Sequence, residues 1–127
     1  MIAVDTSALM TILLDEAEAD RCSNALETAD RLLISAGTVA EALIVAERRG
    51  VGEEMTALID GLGFEIIAVT PAAARRVAAA YDKWGKGVHP AALNFGDCFA
   101  YEVAKENGCP LLYVGDDFAK TDLEGVG

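Results

Sequence analysis

Four short apolar runs, set between stretches patterned for helix, restrict the fold more than anything else in this chain. Ile2–Val4, Leu32–Ser35, residues 65–69 and residues 111–114 are too short for buried helices and rich in residues that suit strands. Between them, apolar side chains recur at helical spacing: Cys22, Ala25, Leu26 and Ala29; Val39, Ala42, Leu43 and Ala46; Met55, Leu58, Ile59 and Leu62; Val77, Ala80, Tyr81 and Trp84. These place helices at 8–14, 18–29, 38–49, 53–62 and 71–84. A sixth runs from Phe95 to about Asn107 and is closed by Gly108. Thr70-Pro71 is a cap followed by proline in the first turn, and Gly50 ends the third helix. Strands joined through helices need crossover connections, which implies a parallel sheet covered on both faces. The expected class is α/β, three-layered, in one domain spanning residues 1–127.

In such sheets ligands bind beyond the carboxyl ends of the strands, and that edge collects acids. Asp5 follows the first strand and Asp116 the last. Glu41 and Asp97 sit in the first turns of the third and sixth helices. Each has an ordinary explanation. Asp5 is a helix cap, Thr38-Val39-Ala40-Glu41 spells a capping box, Asp97 suits the positive end of its helix dipole, and Asp116-Asp117 is a turn. Taken together they point elsewhere. Caps need not share one sheet edge, whereas several carboxylates in one pocket repel one another unless a cation joins them. Hard oxygen donors select Mg2+, with Mn2+ as the alternative, and one or two such ions can promote phosphodiester hydrolysis.

Other chemistries find less support. His89 is the only histidine and precedes Pro90 in the 85–90 loop, a setting for packing or surface exposure. No phosphate-binding glycine loop or nucleophile triad is spelled out, and Gly61-Leu62-Gly63 lacks a third glycine. Cys22, Cys98 and Cys109 match no zinc or redox spacing and read as buried thiols. No apolar segment approaches the roughly 20 residues of a membrane helix. The amino-terminal residues lack the basic and apolar regions of a secretory signal, so a cytoplasmic location is expected.

Charge complicates a nucleic-acid role. The net charge is -11, and setting aside four acids as ligands still leaves seventeen acidic against ten basic residues. Arg48-Arg49, Arg75-Arg76 and Lys83 with Lys86 are the basic clusters, read as solvated helix ends or as an RNA-contacting rim.

The ordered set Val4-Asp5-Thr6-Ser7-Ala8, Glu41, Gly87-Val88-His89-Pro90-Ala91 through Leu93-Asn94-Phe95-Gly96-Asp97-Cys98-Phe99, Val114-Gly115-Asp116-Asp117-Phe118 and Thr121-Asp122 resembles the PIN-domain ribonucleases. Within them it is similar to the VapC-type toxins of toxin-antitoxin pairs. The resemblance implies a metal-dependent endoribonuclease acting on structured RNA such as tRNA or rRNA. Asp5, Glu41 and Asp97 match the first three acidic positions. Asp116 matches the fourth, with Asp117 as the substitute ligand. By the same resemblance, Asp5, Asp97 and Asp116 hold one or two ions, and Glu41 binds a second ion or orients the attacking water. Thr6 and Ser7 support carboxylates or coordinated water, while Thr121 and Asp122 lie behind the ligands. A homodimer is implied, as is a VapB-type antitoxin whose tail enters the acidic crevice. A final edge strand of many relatives is expected to be short or missing, and the tail from Phe118 carries little pattern. The competing classes are a phosphoacceptor receiver-like domain and a non-catalytic acidic binding module. A DNA-directed nuclease is a further possibility within the enzyme class.

Overall fold

The first strand, β1 (Ile2–Val4), is wholly buried, and Asp5 turns the chain directly into α1 (Thr6–Leu13). The computed structural model describes residues 1–126. There follow α2 (Ala19–Thr28), β2 (Leu32–Ser35), α3 (Ala36–Arg48), α4 (Gly52–Gly61), β3 (Glu65–Ile67), α5 (Pro71–Trp84), α6 (Phe95–Asn107) and β4 (Leu111–Leu112). A 3-10 turn covers Phe118–Lys120. The four strands form one parallel sheet in the order β3-β2-β1-β4.

Alternation along the strands divides the core in two, because successive side chains leave a strand on opposite faces. Ile2, Val4, Leu32, Ile34 and Leu112 pack with Leu9, Met10, Cys22, Met55 and Ile59 from α1, α2 and α4. Ala3, Leu33 and Leu111 face Val77, Ala80, Cys98, Tyr101 and Val103 from α5 and α6. The result is the expected three-layer α/β arrangement. The three cysteines are buried and free, and no helix among the described residues is long and apolar enough to cross a membrane.

Several boundaries move for identifiable reasons. Ser35, whose hydroxyl accepts from the Gly37 amide, caps α3, so the helix begins two residues before Thr38. The Thr38–Glu41 capping box therefore does not form. Thr38 is buried inside the helix, and its hydroxyl has no partner. Leu43 and Tyr81, expected to point inward, are 38% exposed because their helices have narrower buried stripes. β3 stops at Ile67 and β4 at Leu112. α5 instead matches its sequence signals: Thr70 accepts from the Ala73 amide, and Pro71 occupies the first turn. Gly108 closes α6 at φ 61°, the left-handed conformation that glycine adopts without a Cβ penalty.

The tail carries more order than its sequence suggests. Phe118 is buried, and Gly125 forms a single parallel bridge to Leu111, the shortest form of a final edge strand. Arg21 on α2 reaches the Tyr113 and Val126 carbonyls at 3.0 and 3.3 Å, tying the end of β4 to the tail.

Candidate active site

β1 delivers Asp5 to the carboxyl edge of the sheet, where its amide donates to the Leu112 carbonyl at 3.0 Å. Oδ2 of Asp5 accepts from the Ser7 amide at 3.1 Å and the Ser7 hydroxyl at 2.6 Å, so the capping role is real. It accounts for one oxygen only. Oδ1 is buried without a hydrogen-bond partner, and an unpaired buried carboxylate oxygen is costly. Burial pushes the Asp5 carboxyl up to about 7, against the lowering effect of the Ser7 bonds, and Asp97 and Glu41 add repulsion.

Asp97 is also both cap and candidate ligand. It closes a reciprocal capping box with Asn94: the Asp97 amide donates to Asn94 Oδ1 at 2.8 Å, and the Asn94 amide donates to Asp97 Oδ2 at 3.0 Å. That explains its position in the first turn of α6. Yet burial lifts its carboxyl to about 6 despite the backbone bond, with repulsion from Glu41 and Asp117 contributing. A cap on a helix end open to water would not carry that penalty.

Glu41 is steered by its neighbours. Thr6 donates to Glu41 Oε1 at 2.6 Å, which links α1 to α3 across the site. The other oxygen lies against Gly96, where a Cβ would collide with the carboxylate. Gly96 is therefore a site residue. Its signal lay in the Phe95-Gly96-Asp97 run, but the close approach of α3 that demands it is invisible in sequence. Ser7 also acts on the neighbouring strand, where its hydroxyl accepts from the Val114 amide at 3.0 Å and pins the exit of β4 beside Asp5.

The structure separates the two adjacent acids at the fourth position. Asp117 opens the 3-10 turn and is felt electrostatically by Asp97. Asp116 faces a different cleft, with Glu18, Arg21 and Tyr113. The resemblance favoured Asp116 over Asp117; of the two, Asp117 is the one that bears on Asp97. Thr121 and Asp122 also lie apart from the acids. The Thr121 hydroxyl closes the 3-10 turn on the Phe118 carbonyl at 2.6 Å. Asp122 accepts from the Tyr101 hydroxyl at 2.6 Å and pairs with Lys105 at 3.2 Å. Both anchor the loop that carries Asp117.

The PIN domain family model matches residues 2–124. Ribonuclease VapC30 of Mycobacterium tuberculosis is 40% identical over 98% of this chain and 98% of its own. The chain belongs to the PIN-domain family, among the VapC ribonucleases. A VapC ribonuclease of Mycolicibacterium smegmatis is 36% identical over 98% of this chain and 99% of its own. Among solved structures, VapC20 of Mycobacterium tuberculosis, a Sarcin-Ricin loop cleaving toxin, aligns with a TM-score of 0.80 at 15% identity, covering 99% and 98% of the two chains. The fold of this VapC-family chain is thus that of a PIN domain. The activity that comes with membership is that of a ribonuclease.

Asp5, Glu41, Asp97 and Asp117 offer only hard oxygen donors, the set suited to Mg2+ or Mn2+. Among the described residues no group of three or more acidic, histidine or cysteine side chains is placed to hold a metal ion. Mg2+ does not require such a group, since it keeps several waters and takes one or two carboxylates.

Proposed function

We propose that this chain is a Mg2+- or Mn2+-dependent endoribonuclease that cuts structured RNA, tRNA or rRNA, at the crevice formed by Asp5, Glu41, Asp97 and Asp117. The observation that carries the reading is Asp5: a carboxylate with one buried, unpartnered oxygen, facing a second acid whose charge is also disfavoured. Such a pair is destabilised alone and suited to a divalent cation. Asp5 and Asp97 would hold the ion, with Asp117 as the third donor in place of Asp116. When bound, the cation would supply charge neutralisation at the phosphate and a more acidic water.

The remaining steps belong to the chain's own groups. Ser7 fixes the Asp5 carboxylate through Oδ2 and leaves Oδ1 without a hydrogen-bond partner. The Asn94 box does the same for Asp97, which leaves Oδ1 outside the cap. Glu41, its Oε1 held by Thr6, orients the attacking water and takes its proton at Oε2.

Regulation follows from the same surface. A groove of about 300 Å³ lined by Gly37, Ile44, Val45, Phe95 and Phe99 runs beside Glu41. It fits a VapB-type antitoxin segment that is apolar along the groove and basic where it reaches the acids. Toxin-antitoxin complexes from Klebsiella pneumoniae and Rickettsia felis are among the structural neighbours, with TM-scores of 0.71 and 0.70 at 20% and 17% identity. We take the working form to be a homodimer. The three buried, free thiols favour the reducing cytoplasm as its compartment.

Purified protein free of antitoxin, incubated with total bacterial RNA in Mg2+, in Mn2+ and in EDTA, tests the reading. Discrete fragments in metal, absent in EDTA and absent with Asp97→Asn, are expected. Full metal-dependent cleavage by Asp97→Asn would sink it.

A further inference from the structure

Acidic as it is, the chain has one segment of opposite sign. Residues 70–93 contain four basic residues against one acid, while the remaining residues contain six against twenty. This segment is α5 and the loop that follows it. Within it, Arg76 is spent on the protein itself, pairing with Glu102 at 3.0 Å and Glu106 at 3.3 Å. Lys83 and Lys86 are exposed, and neither has a carboxylate within ion-pair distance among the described residues.

Of the two, the Lys83 side chain is held in place. Lys83 Nζ lies over the Trp84 ring, 4.9 Å from its centroid, a contact that restrains a flexible ammonium without neutralising it. Trp84 is itself fixed, donating to the Tyr101 hydroxyl at 2.9 Å and stacking edge-on with His89 at 4.7 Å between centroids. The loop is stitched to the start of the catalytic helix. The Lys86 amide donates to the Leu93 carbonyl at 2.9 Å, and the Leu93 amide donates to the Trp84 carbonyl at 3.0 Å. Leu93 directly precedes Asn94, the cap that positions Asp97. The two cations therefore lie on the segment that leads into that helix: the Lys86 backbone pairs with Leu93, and Lys83 lines a groove with Trp84, Tyr101, Glu102 and Lys105 on the flank of α6.

A polyanion approaching a chain of net charge -11 needs such cations, since its affinity rests largely on phosphate contacts with lysine and arginine. We propose that the end of α5 and the 85–93 loop form the docking surface for the RNA strand flanking the cut, with Lys83 and Lys86 contacting two phosphates. This rests on the ribonuclease reading of the crevice. The surface acts on binding, so Lys83 and Lys86 govern KM and the acids govern kcat.

The test compares the wild-type chain, Lys83→Gln/Lys86→Gln and, as a control, Arg48→Gln/Arg49→Gln at the far end of α3. Cleavage of total bacterial RNA gives KM and kcat. Binding of fluorescently labelled bulk tRNA in an Asp97→Asn background, across a salt series, gives affinity and its salt slope. The Lys83/Lys86 pair is expected to raise KM about tenfold with kcat and melting temperature unchanged. It should also flatten the slope of log K against log salt by roughly 1.5, the loss of two phosphate contacts. The Arg48/Arg49 pair should match wild type. Unchanged KM and slope in the Lys83/Lys86 variant, or an equal loss in the control, overturns the docking surface while leaving the nuclease intact. A wild-type chain that neither cuts nor binds RNA in metal overturns both readings.

Discussion

Asp5 shows how one carboxylate can serve the fold and oppose it at once. Its Oδ2 caps α1, while its Oδ1 is buried with no partner, and the balance leaves the group titrating near 7 against an ordinary 3.8. The sign of the consequence is fixed by linkage. Between about pH 4 and 7 the folded chain retains a proton that the unfolded chain has released, so the folded state is favoured at the low end and loses that advantage as pH rises. Metal-free protein in EDTA is therefore expected to melt at progressively lower temperature from pH 4.5 to 7.5. The change for Asp5 is on the order of a few kcal/mol, and Asp97, raised to about 6, adds in the same direction. Asp5→Asn removes the ionisable group and should flatten the profile in a thermal scan, while abolishing cleavage. A wild-type profile that rises over this range would contradict the assignment. Little of this was readable from sequence. Asp5 after a buried strand announced an acid at the sheet edge, but which of its oxygens would be satisfied depended on Ser7 folding back onto it.

The helices divide into those whose ends were written locally and those set by contact. α5 carries its cap at Thr70 and its proline at the first turn, and it spans the residues its signals delimit. α3 looked equally well marked by Thr38 and Glu41, yet Ser35 captured the Gly37 amide first, and Glu41 was left to bond Thr6 instead. A capping box is a local pattern, and a competing cap three residues upstream removes it. What sequence could not supply was how closely α3 and α6 approach. Gly37 lies against the Phe99 ring and Gly96 against the Glu41 carboxylate, with no room for a Cβ at either place. Gly96→Ala should therefore displace Glu41, lower stability by about 1–3 kcal/mol and cut activity sharply. The double variant Gly96→Ala/Glu41→Ala distinguishes the two effects: melting should recover while cleavage stays lost. If Gly96→Ala retains both stability and activity, the contact is not needed.

Across the whole molecule, the four acids come from segments separated by most of the chain's length, and only the parallel sheet brings them to one edge. The order of short strands and helices made that edge legible in advance, because parallel connections put every strand's carboxyl end on the same side. The choice between Asp116 and Asp117 was not legible, because which cleft a loop residue lines depends on how the β4 exit is pinned. Here Ser7 holds the Val114 amide and Arg21 holds the Tyr113 carbonyl. That assignment has a global consequence. A cation bound by residues 5, 97 and 117 joins β1, α6 and the tail, so it should stabilise the folded chain as a unit, by about 2.7 kcal/mol at one hundred times its dissociation constant. Adding Mn2+ at pH 7.5 is expected to raise the melting temperature of wild type. Asp116→Asn should keep that rise, and Asp117→Asn should lose most of it, with both variants melting near wild type in EDTA. The reverse pattern would return the fourth position to Asp116 and require the 114–117 loop to turn the other way when the ion binds. Equal loss in both variants would mean that the two acids share the ion.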